Sequence, residues 1–366
     1  MNFIINRETL LNPLQQIVGI IEKRQTMPIL SNVFIKTDCN SLILIATDLE
    51  IQLITKVDLI SEHIEAITVP ARKLIDIVRF LPANSEIKWE IINGKLKLTS
   101  GRSRFSLNCL PSENYPEFTE ENSNTQLSIS ADKFKEALEK TLFCMANQDV
   151  RYYLNGILLN ISNNYLKLVA SDGHRLSIYQ SQLDIETGVE IRIILPRKGI
   201  IELNRLIDDT GNNLILEFSN NIIKLSHNHF IFSAKLVDAK YPDFTKVFQQ
   251  DLLDPLYINK QTLKEALTRV SILSNEKFKG ITLNIKENLM SITAHNPEHD
   301  EAEEEVSIDY KGHPYSISFN AQYLIDAVTH IDSDHIILVL TKNLSSCFIN
   351  DPNNSNFQFI VMPMRL

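Results

Sequence analysis

Three similar segments follow one another along this chain, and this repetition constrains its fold more than any other feature. The triplets Ala46-Thr47-Asp48, Ala170-Ser171-Asp172 and Ala294-His295-Asn296 each end a segment that alternates apolar and polar residues. Successive triplets are 124 residues apart both times. A fixed long interval of this kind is typical of tandem domains. A chain of 366 residues has room for two or three of them.

Other landmarks keep the same register. Pro70, Pro196 and Asn320 each open a stretch with apolar residues at helical spacing. A second helical stretch lies near the start of each repeat, in RETLLNPLQQIVGII, ADKFKEALEKTLFCM and KQTLKEALTRVSIL. Tyr115-Pro116-Glu117-Phe118 recurs as Tyr241-Pro242-Asp243-Phe244, where we expect a domain to close and a linker to begin. Each repeat is therefore predicted to run strand, helix, several strands, helix, several strands.

The strand segments, such as LKLTSGRSRFSL, alternate apolar and polar residues, so their sheets should be largely antiparallel with one face in water. Two helices per repeat would cover the other face. We predict an α+β fold of three tandem similar domains, each with two helices against antiparallel sheets. The predicted domains are residues 1–123, 124–249 and 250–366.

Charge is distributed unevenly along the chain. The net charge is −9, so the protein as a whole is not a basic nucleic-acid binder, although binding follows the local field. Lys and Arg exceed Asp and Glu in the helical stretches 70–81, 196–207 and 260–279, while acidic residues crowd 298–305. Two interpretations stay open on charge alone. One is solvated helix faces with an acidic loop, and the other is repeated basic helices that face a polyanion.

The expected compartment is the cytoplasm. The N-terminus MNFIINRETLL lacks a basic start followed by an apolar run, so we expect no signal peptide. No apolar stretch approaches the roughly 20 residues of a membrane span. Cys39, Cys109, Cys144 and Cys347 are widely scattered, which favours reduced thiols that serve packing. We therefore expect a cytoplasmic protein with no membrane association.

Several longer motifs resemble one known family. They are PLQQIVG, PILSN, TDLE, VPARK, SGRSRFSL, NQDVRYYLNG, SDGHRL, PRKG, KLVDAKYPDF, ILSNEKFKG and the terminal VMPMRL. Together they make the chain similar, along essentially its whole length, to the bacterial DNA polymerase III beta subunits, the sliding clamps. The resemblance implies a head-to-tail dimeric ring in which six similar domains of the DNA-clamp fold surround duplex DNA. Such a clamp is a non-catalytic processivity factor and not an enzyme.

The resemblance also implies partners. They are a second copy of the chain, double-stranded DNA, the DNA polymerase III catalytic subunit, an ATP-dependent clamp loader, and other polymerases and repair proteins that carry clamp-binding peptides. The sequence has no P-loop, no G-x-G-x-x-G and no Cys cluster, so loading onto DNA should need an ATPase from another chain. We expect no cofactor and no metal, because His227-x-His229 and His295-x3-His299 lack a third ligand at recognisable spacing.

The stretch VASDGHRLSIY offers a hydroxyl, a carboxylate, an imidazole and a guanidinium within five positions. One alternative function is therefore a metal-free hydrolase centred on Asp172 and His174. The absence of a nucleophile elbow G-x-S-x-G argues against it, and Gly173 predicts a tight turn between strands. A second alternative is a tandem-domain scaffold without a DNA role. The resemblance instead makes this loop one wall of a groove that captures short peptides.

The resemblance carries that peptide groove onto this chain residue by residue. The part from the second domain comprises Leu154, Ser171, Gly173, His174, Arg175, Leu176, Pro242, Lys246 and Val247. The part from the third domain comprises Asn320, Tyr323, Leu344, Ser346, Ile360, Met362, Pro363, Met364, Arg365 and Leu366. Ser171, Lys246 and Leu344 stand where Thr, Arg and Val are common in the family, and a Lys lacks the planar fork of an Arg. We expect the aliphatic members to supply apolar contact, and His174 and Arg175 to orient polar groups of the ligand.

Two further sets of residues follow from the resemblance. Contacts with DNA are expected from Arg24, Arg72, Gln148, Tyr152 and Tyr153, the arginines at phosphates and the tyrosines by stacking on bases. The dimer seam is expected to contain Lys73, Arg102, Arg104, Phe105, Leu107, Ile272, Leu273, Glu298, Glu301 and Glu304. Its apolar members would meet across the seam and its basic members would face acidic ones.

Overall fold

The same order of strands and helices recurs in all three repeats, as the sequence predicts. The computed structural model describes residues 1–21, 27–60, 64–116, 118, 125–184, 188–208 and 211–365. The first repeat comprises β1 (Asn2–Asn6), α1 (Arg7–Ile17), β2 (Asn32–Asp38), β3 (Ser41–Thr47), β4 (Ile51–Asp58), β5 (Ala66–Pro70), α2 (Ala71–Phe80), β6 (Glu86–Ile92), β7 (Lys95–Ser100) and β8 (Ser103–Asn108). The second comprises β9 (Thr125–Ser130), α3 (Ala131–Glu139), β10 (Gly156–Ser162), β11 (Tyr165–Ser171), β12 (Arg175–Gln182), β13 (Ile191–Pro196), α4 (Arg197–Leu206), β14 (Asn213–Phe218), β15 (Ile222–His227) and β16 (Phe230–Lys235). The third comprises β17 (Leu256–Asn259), α5 (Lys260–Ser271), β18 (Gly280–Lys286), β19 (Leu289–His295), β20 (Glu301–Ser307), β21 (Tyr315–Asn320), α6 (Ala321–Thr329), β22 (His335–Leu340), β23 (Cys347–Asp351) and β24 (Asn354–Val361).

Several helices begin where the sequence supplies a capping side chain. Asn6, Asn259 and Asn320 directly precede α1, α5 and α6. The side-chain oxygen of Asn6 accepts the N–H of Glu8, and that of Asn259 accepts the N–H of Thr262, both at 3.0 Å. These bonds satisfy amide donors that the first turn of a helix leaves unpaired. Strands β1, β17 and β21 therefore pass directly into the helices α1, α5 and α6.

The strands form antiparallel sheets within two compact units. The unit that contains residues 1–132 and 198–236 holds a four-stranded sheet of order β1-β6-β7-β8 and an eight-stranded sheet of order β5-β2-β3-β4-β16-β15-β14-β9. The unit that contains residues 133–197 and 237–366 holds an eight-stranded sheet of order β13-β10-β11-β12-β24-β23-β22-β17 and a four-stranded sheet of order β20-β19-β18-β21. The central repeat thus contributes strands to both long sheets. The domain limits stay a prediction, and the first of them, at 123/124, lies outside the described residues.

Each long sheet arises where two repeats pair edge to edge. In one, β4 pairs with β16, with Gln52 opposite Ser233. In the other, β12 pairs with β24, with Leu176 opposite Ile360. The equivalent strands β8 and β20 lie at the ends of the two four-stranded sheets. Each repeat therefore carries the same two pairing edges, one on its fourth strand (β4, β12 or β20) and one on its last strand (β8, β16 or β24).

The core lies between the sheets and the helices of each unit. Trp89 and Phe3 are buried in the first repeat, with stacked rings whose centroids are 5.4 Å apart. Cys144 and Cys347 are buried, as expected of packing thiols, whereas Cys39 is exposed. In the part of the chain that the structure describes, no helix is both long and apolar enough to cross a bilayer.

Candidate peptide-binding groove

The stretch between β11 and β12 is a tight turn that holds itself together by hydrogen bonds. Ser171 Oγ donates to the carbonyl oxygen of Arg175 at 2.7 Å and accepts the N–H of Gly173 at 3.0 Å. Asp172 Oδ1 accepts the N–H groups of His174 and Arg175 at 3.0 and 3.1 Å. Such bonds are typical of turns built by Ser and Asp. The Ser171 hydroxyl proton is given to a carbonyl oxygen, so this geometry is that of a turn and not of a nucleophile activated by an imidazole.

Gly173 is required at the tip of this turn. Its φ is +89°, a conformation that side chains with a Cβ rarely adopt. A Cβ there would lie 2.6 Å from Nη2 of Arg151. Arg151 donates from the same nitrogen to the carbonyl oxygen of Asp172 at 3.2 Å and to Asp149 at 2.9 Å. Hydrogen bonds from Arg151 lower the pKa of the Asp149 carboxyl to about 2.

Arg175 joins the turn to helix α6. Its side chain is 11% exposed, and its Nε donates to Asp172 Oδ2 at 3.0 Å. Nη1 donates to Asp326 Oδ2 at 2.5 Å, and Nη2 donates to the carbonyl oxygen of Phe143 at 2.7 Å. The guanidinium also lies 4.4 Å from the ring centroid of Tyr323. These contacts give Arg175 a structural role, in addition to the ligand-orienting role expected from the sequence.

A cavity of about 180 Å³ opens beside the turn. Its lining residues are Ser171, Gly173, Arg175, Leu176, Tyr241, Pro242, Asp243, Phe244, Val247, Ile360 and Met362. Aliphatic and aromatic side chains dominate this set, with a few polar groups at the turn. That composition is typical of sites that take apolar side chains of a ligand and fix its orientation by a few polar contacts.

The C-terminal tail completes one side of this groove. Leu176 on β12 lies opposite Ile360 on β24, so the two strands bring both side chains to the same cavity. Beyond the strand, the N–H of Met362 donates to the carbonyl oxygen of His174 at 2.8 Å. The N–H of Met364 donates to the carbonyl oxygen of Ser318 at 2.7 Å. The tail is therefore docked on the chain by main-chain hydrogen bonds.

The other predicted groove residues lie around the cavity in different ways. Leu154 belongs to the apolar cluster that includes Leu176 and Tyr241. Asn320 caps α6, and Tyr323 on that helix contacts Arg175. The remaining predicted members are found on exposed or partly buried turns and on the tail, apart from the buried Ser346: His174, Lys246, Leu344, Ser346, Pro363, Met364 and Arg365. Leu366 lies outside the described residues.

Sequence reasoning missed three lining residues, Tyr241, Asp243 and Phe244. The signal was present in the recurring Tyr-Pro-x-Phe motif, which we interpreted only as the end of a domain. Burial raises the pKa of the Tyr241 hydroxyl, and hydrogen bonds from Thr245 lower the pKa of the exposed Asp243 carboxyl. Tyr241 is therefore a neutral, buried wall of the groove, and Asp243 is a negative charge at its edge.

The thiol of Cys144, which is buried near Arg175, is also held in its neutral form. Burial raises the pKa of the Cys144 thiol well above its usual value. A thiol needs a lowered pKa to act as a nucleophile at neutral pH. Cys144 therefore serves packing beneath Arg175, whose guanidinium hydrogen bonds to the neighbouring carbonyl group of Phe143.

The residues predicted to contact DNA are partly placed. Gln148 is exposed with a positive φ of 59°, and Tyr152 is 57% exposed. The ring of Tyr152 meets that of Tyr153 edge to face, with centroids 6.1 Å apart. Arg72 is exposed on α2, and one of its nitrogens donates to the carbonyl oxygen of Ile21 at 2.9 Å. Arg24 lies outside the described residues.

The residues predicted to form the dimer seam fall on two sets of elements. Lys73 lies exposed on α2, and the others of the first repeat lie on or beside β8: Arg102, Arg104, Phe105 and Leu107. In the third repeat, Ile272 directly follows α5 and is 75% exposed, with Leu273 half-buried beside it. Glu298 is exposed in the turn before β20, and Glu301 is exposed at the first position of that strand. Glu304 on that strand accepts a hydrogen bond from Arg269 Nε at 3.0 Å, so this acidic side chain is already paired within its own chain.

Among the described residues, no group of three or more His, Cys, Asp or Glu side chains is arranged to hold a metal ion. His227 instead makes a contact of 2.9 Å from Nε2 to Asp208 Oδ1 and is buried. A lone buried His of this kind serves packing and hydrogen bonding.

Comparison with known proteins identifies the family. Three family models match in succession, those of the N-terminal, central and C-terminal domains of the DNA polymerase III beta subunit, at residues 1–119, 128–243 and 245–365. A beta sliding clamp of Pseudomonas putida is 41% identical over 368 residues, and that of Escherichia coli K12 is 40% identical over 367, each match covering 100% of both chains.

Solved structures agree with this assignment. A DNA polymerase sliding clamp from Pseudomonas aeruginosa superposes with a TM-score of 0.95 at 39% identity, covering 100% of both chains. A second structure of a clamp from that organism, bound to griselimycin, gives a TM-score of 0.95 at 40% identity with the same coverage. Since three successive family models and full-length relatives all match, this chain belongs to the DNA polymerase III beta subunit family of sliding clamps.

Proposed function

We propose that this chain is a non-catalytic DNA sliding clamp, a processivity factor that encircles duplex DNA and tethers the replicative polymerase. The observation that carries the proposal is the groove at the joint between β12 and β24, built within a chain of the clamp family. A tether must hold its partner without stopping at any DNA sequence. A ring that encloses DNA satisfies this need, because it requires no contact with the bases. Any contacts that it makes with phosphates carry no sequence information.

The proposed ring requires two chains, and the repeated pairing edges support it. Within the chain, β4 pairs with β16 and β12 pairs with β24. By position in the repeat, β20 corresponds to β4 and β12, and β8 corresponds to β16 and β24. Pairing of β20 from one chain with β8 of a second copy would continue the pattern. Two such seams close a ring, so that no pairing edge of this type stays open.

The register of the internal joints can be carried to this seam. Glu301 lies opposite His295 across the turn between β19 and β20, and Leu176 lies opposite Ser171 across the turn between β11 and β12. Glu301 therefore occupies the position in the third repeat that Leu176 occupies in the second. The equivalent pairing then sets Ala302 opposite Phe105 of the second copy and Glu303 opposite Arg104 of the second copy. A charge pair at this position gives the two ends of the chain complementary potential, which favours correct encounter.

The groove is proposed to bind short peptides of partner proteins. We propose as partners the DNA polymerase III catalytic subunit, other polymerases and repair proteins, and an ATP-dependent clamp loader that opens the ring. The site of action is the cytoplasm. The alternative of a hydrolase is disfavoured by the Ser171 hydroxyl, which donates to the Arg175 carbonyl oxygen.

The ring function is tested by retention on DNA. We expect the loaded protein to stay on a nicked circular plasmid and to leave when the plasmid is linearised, because enclosure holds it and binding does not. Gel filtration of the protein–plasmid mixture before and after linearisation measures the difference. Equal loss from both forms would favour the scaffold without a DNA role.

Removing residues 362–366 is expected to weaken binding of a polymerase-tail peptide at least about tenfold, because it removes the Met362 side chain from the lining of the groove. Titration calorimetry with the peptide measures this loss. A variant that lacks only residues 365 and 366 is the matched control, because it keeps both main-chain bonds of the tail. Unchanged affinity in the longer truncation would contradict the groove assignment.

Changing Arg24 and Arg72 to Ala is expected to weaken DNA binding for every sequence. The slope of log affinity against log salt should fall by about 1 for each phosphate that is no longer neutralised by an arginine. The paired change of Lys95 and Lys97 to Ala, on β7, removes the same charge from residues not assigned to DNA and serves as the control. A salt slope that the arginine changes leave unaltered would place their side chains away from DNA.

A further inference from the structure

Two large apolar side chains are exposed to solvent in the single chain, although the equivalent positions are packed at the joints between repeats. Phe80, at the end of α2, is 84% exposed, and Ile272, just after α5, is 75% exposed. Single exposed apolar side chains are common on protein surfaces, so their exposure alone does not mark an interface. Their counterparts in the other repeats indicate what covers them.

The joint between the second and third repeats shows the first covered counterpart. His330 is ten residues past Asn320, as Phe80 is ten residues past Pro70. Phe143 is thirteen residues past Ser130, as Ile272 is thirteen residues past Asn259. His330 and Phe143 stack on each other, with ring centroids 3.8 Å apart and an interplanar angle of 10°.

The joint between the first and second repeats shows this contact in another form. The counterparts there are Leu206, ten residues past Pro196, and Gly19, thirteen residues past Asn6. Leu206 is buried. Any side chain at Gly19 would collide with the Glu202 carboxylate of α4, so the helix lies tightly against this point. In both internal joints, the second helix of one repeat thus packs on the segment after the first helix of the neighbouring repeat.

A basic residue on α2 extends the comparison. Arg205 on α4 donates to the carbonyl oxygens of Gln16 and Gln15 at 2.6 and 3.2 Å, which places a positive charge at the C-terminal end of α1. It is also paired with Glu202 at i,i+3, 2.6 Å away. Arg79 holds the same position on α2 and pairs in the same way with Asp76, 3.6 Å away. The carbonyl groups that correspond to those of Gln15 and Gln16 are those of Thr268 and Arg269, at the end of α5.

We propose that Phe80 of one chain packs on Ile272 of a second copy, while Arg79 donates to the Thr268 and Arg269 carbonyl oxygens of that copy. This inference rests on the proposed two-chain ring and adds a helix contact to its strand pairing. Both internal joints make this helix contact. Within the described residues, α2 of the first repeat and α5 of the third repeat are left without a partner helix of this kind. A second copy of the chain supplies each of them with the missing partner, so the proposed occupant is a second copy.

The test is the change Phe80→Asp, which places a charge in the proposed contact. We expect the dimer dissociation constant, measured by sedimentation velocity, to rise at least about tenfold. The fold should be retained, because the side chain is exposed in the single chain, and circular dichroism checks this. Ile60→Asp is the matched control, since Ile60 is 88% exposed and lies outside the proposed seam.

A second variant tests the pair itself. Phe80→Asp combined with Ile272→Lys places opposite charges at both seams and is expected to recover part of the lost association, because the two charges would face each other. A Phe80→Asp protein that dimerises as tightly as the parent would overturn this inference, and so would a double variant weaker than Phe80→Asp alone. A parent protein that sediments as a single chain would instead contradict the proposed ring, so the two failures are distinguishable.

Discussion

Replacing both Ile272 and Leu273 with alanine is expected to convert the protein from the proposed dimer into a single chain of 41.9 kDa. Truncating an aliphatic side chain that is buried in an interface or core costs about 2–5 kcal/mol, and the proposed ring would contain the contact at both seams. In the single chain, however, Ile272 is largely exposed, so its truncation removes little packing there. The effect should therefore appear in association and only weakly in folding.

Light scattering at micromolar concentration measures the expected change in mass. Thermal unfolding of the same variant should remain cooperative, which separates loss of dimer from loss of fold. The control is Ile60→Ala, which shortens an exposed aliphatic side chain away from the predicted seam. If the double variant and the control both had the mass of two chains, the predicted seam would be wrong.

Arg175→Ala is expected to lower the free energy of unfolding by about 3 kcal/mol, because it leaves the Asp172 and Asp326 carboxylates without their shared cation. It also frees the Phe143 carbonyl oxygen and removes the cation from the face of Tyr323. The turn would no longer be held to α6, so peptide affinity should fall together with stability.

Urea unfolding monitored by circular dichroism gives the stability, and the same protein serves for the peptide titration. Arg192→Ala is the matched control, since Arg192 is an exposed arginine on the neighbouring strand β13. Asp326→Asn should cost less than Arg175→Ala, because the amide oxygen can still accept from the guanidinium. A decrease below about 1 kcal/mol for Arg175→Ala would mean that the paired charges contribute little beyond their desolvation.

Much of the fold follows from the sequence, because the repeat and its periodicities are local signals. The stretch opened by Pro70 contains α2, and the alternating segment that ends at Ser171 is β11. The pairing of Gln52 with Ser233 is different, since alternation determines which side chains share a face but not which distant strand lies alongside. Extension of each sheet from one repeat into the next was therefore outside the reach of pattern reasoning.

The candidate site divides in the same way. The resemblance supplied Leu176, Val247 and Met362, which line the cavity. It could not supply the hydrogen-bonding partners of Arg175, because Phe143 and Asp326 are distant in sequence and carry no motif of their own. Tyr241 was visible as a recurring residue, yet its place in the groove depends on where the linker crosses the sheet edge.

The groove is built from parts of the chain that are far apart in sequence. Its lining includes Ile360 and Met362 beside the turn at Gly173, and the N–H of Met364 donates to the carbonyl oxygen of Ser318. The turn makes its own hydrogen bonds within residues 171–175, whereas Ile360 reaches the cavity only where β24 pairs with β12. Under the proposed function, a partner peptide therefore binds only chains in which these two strands have already paired, so peptide binding also reports on completion of the fold.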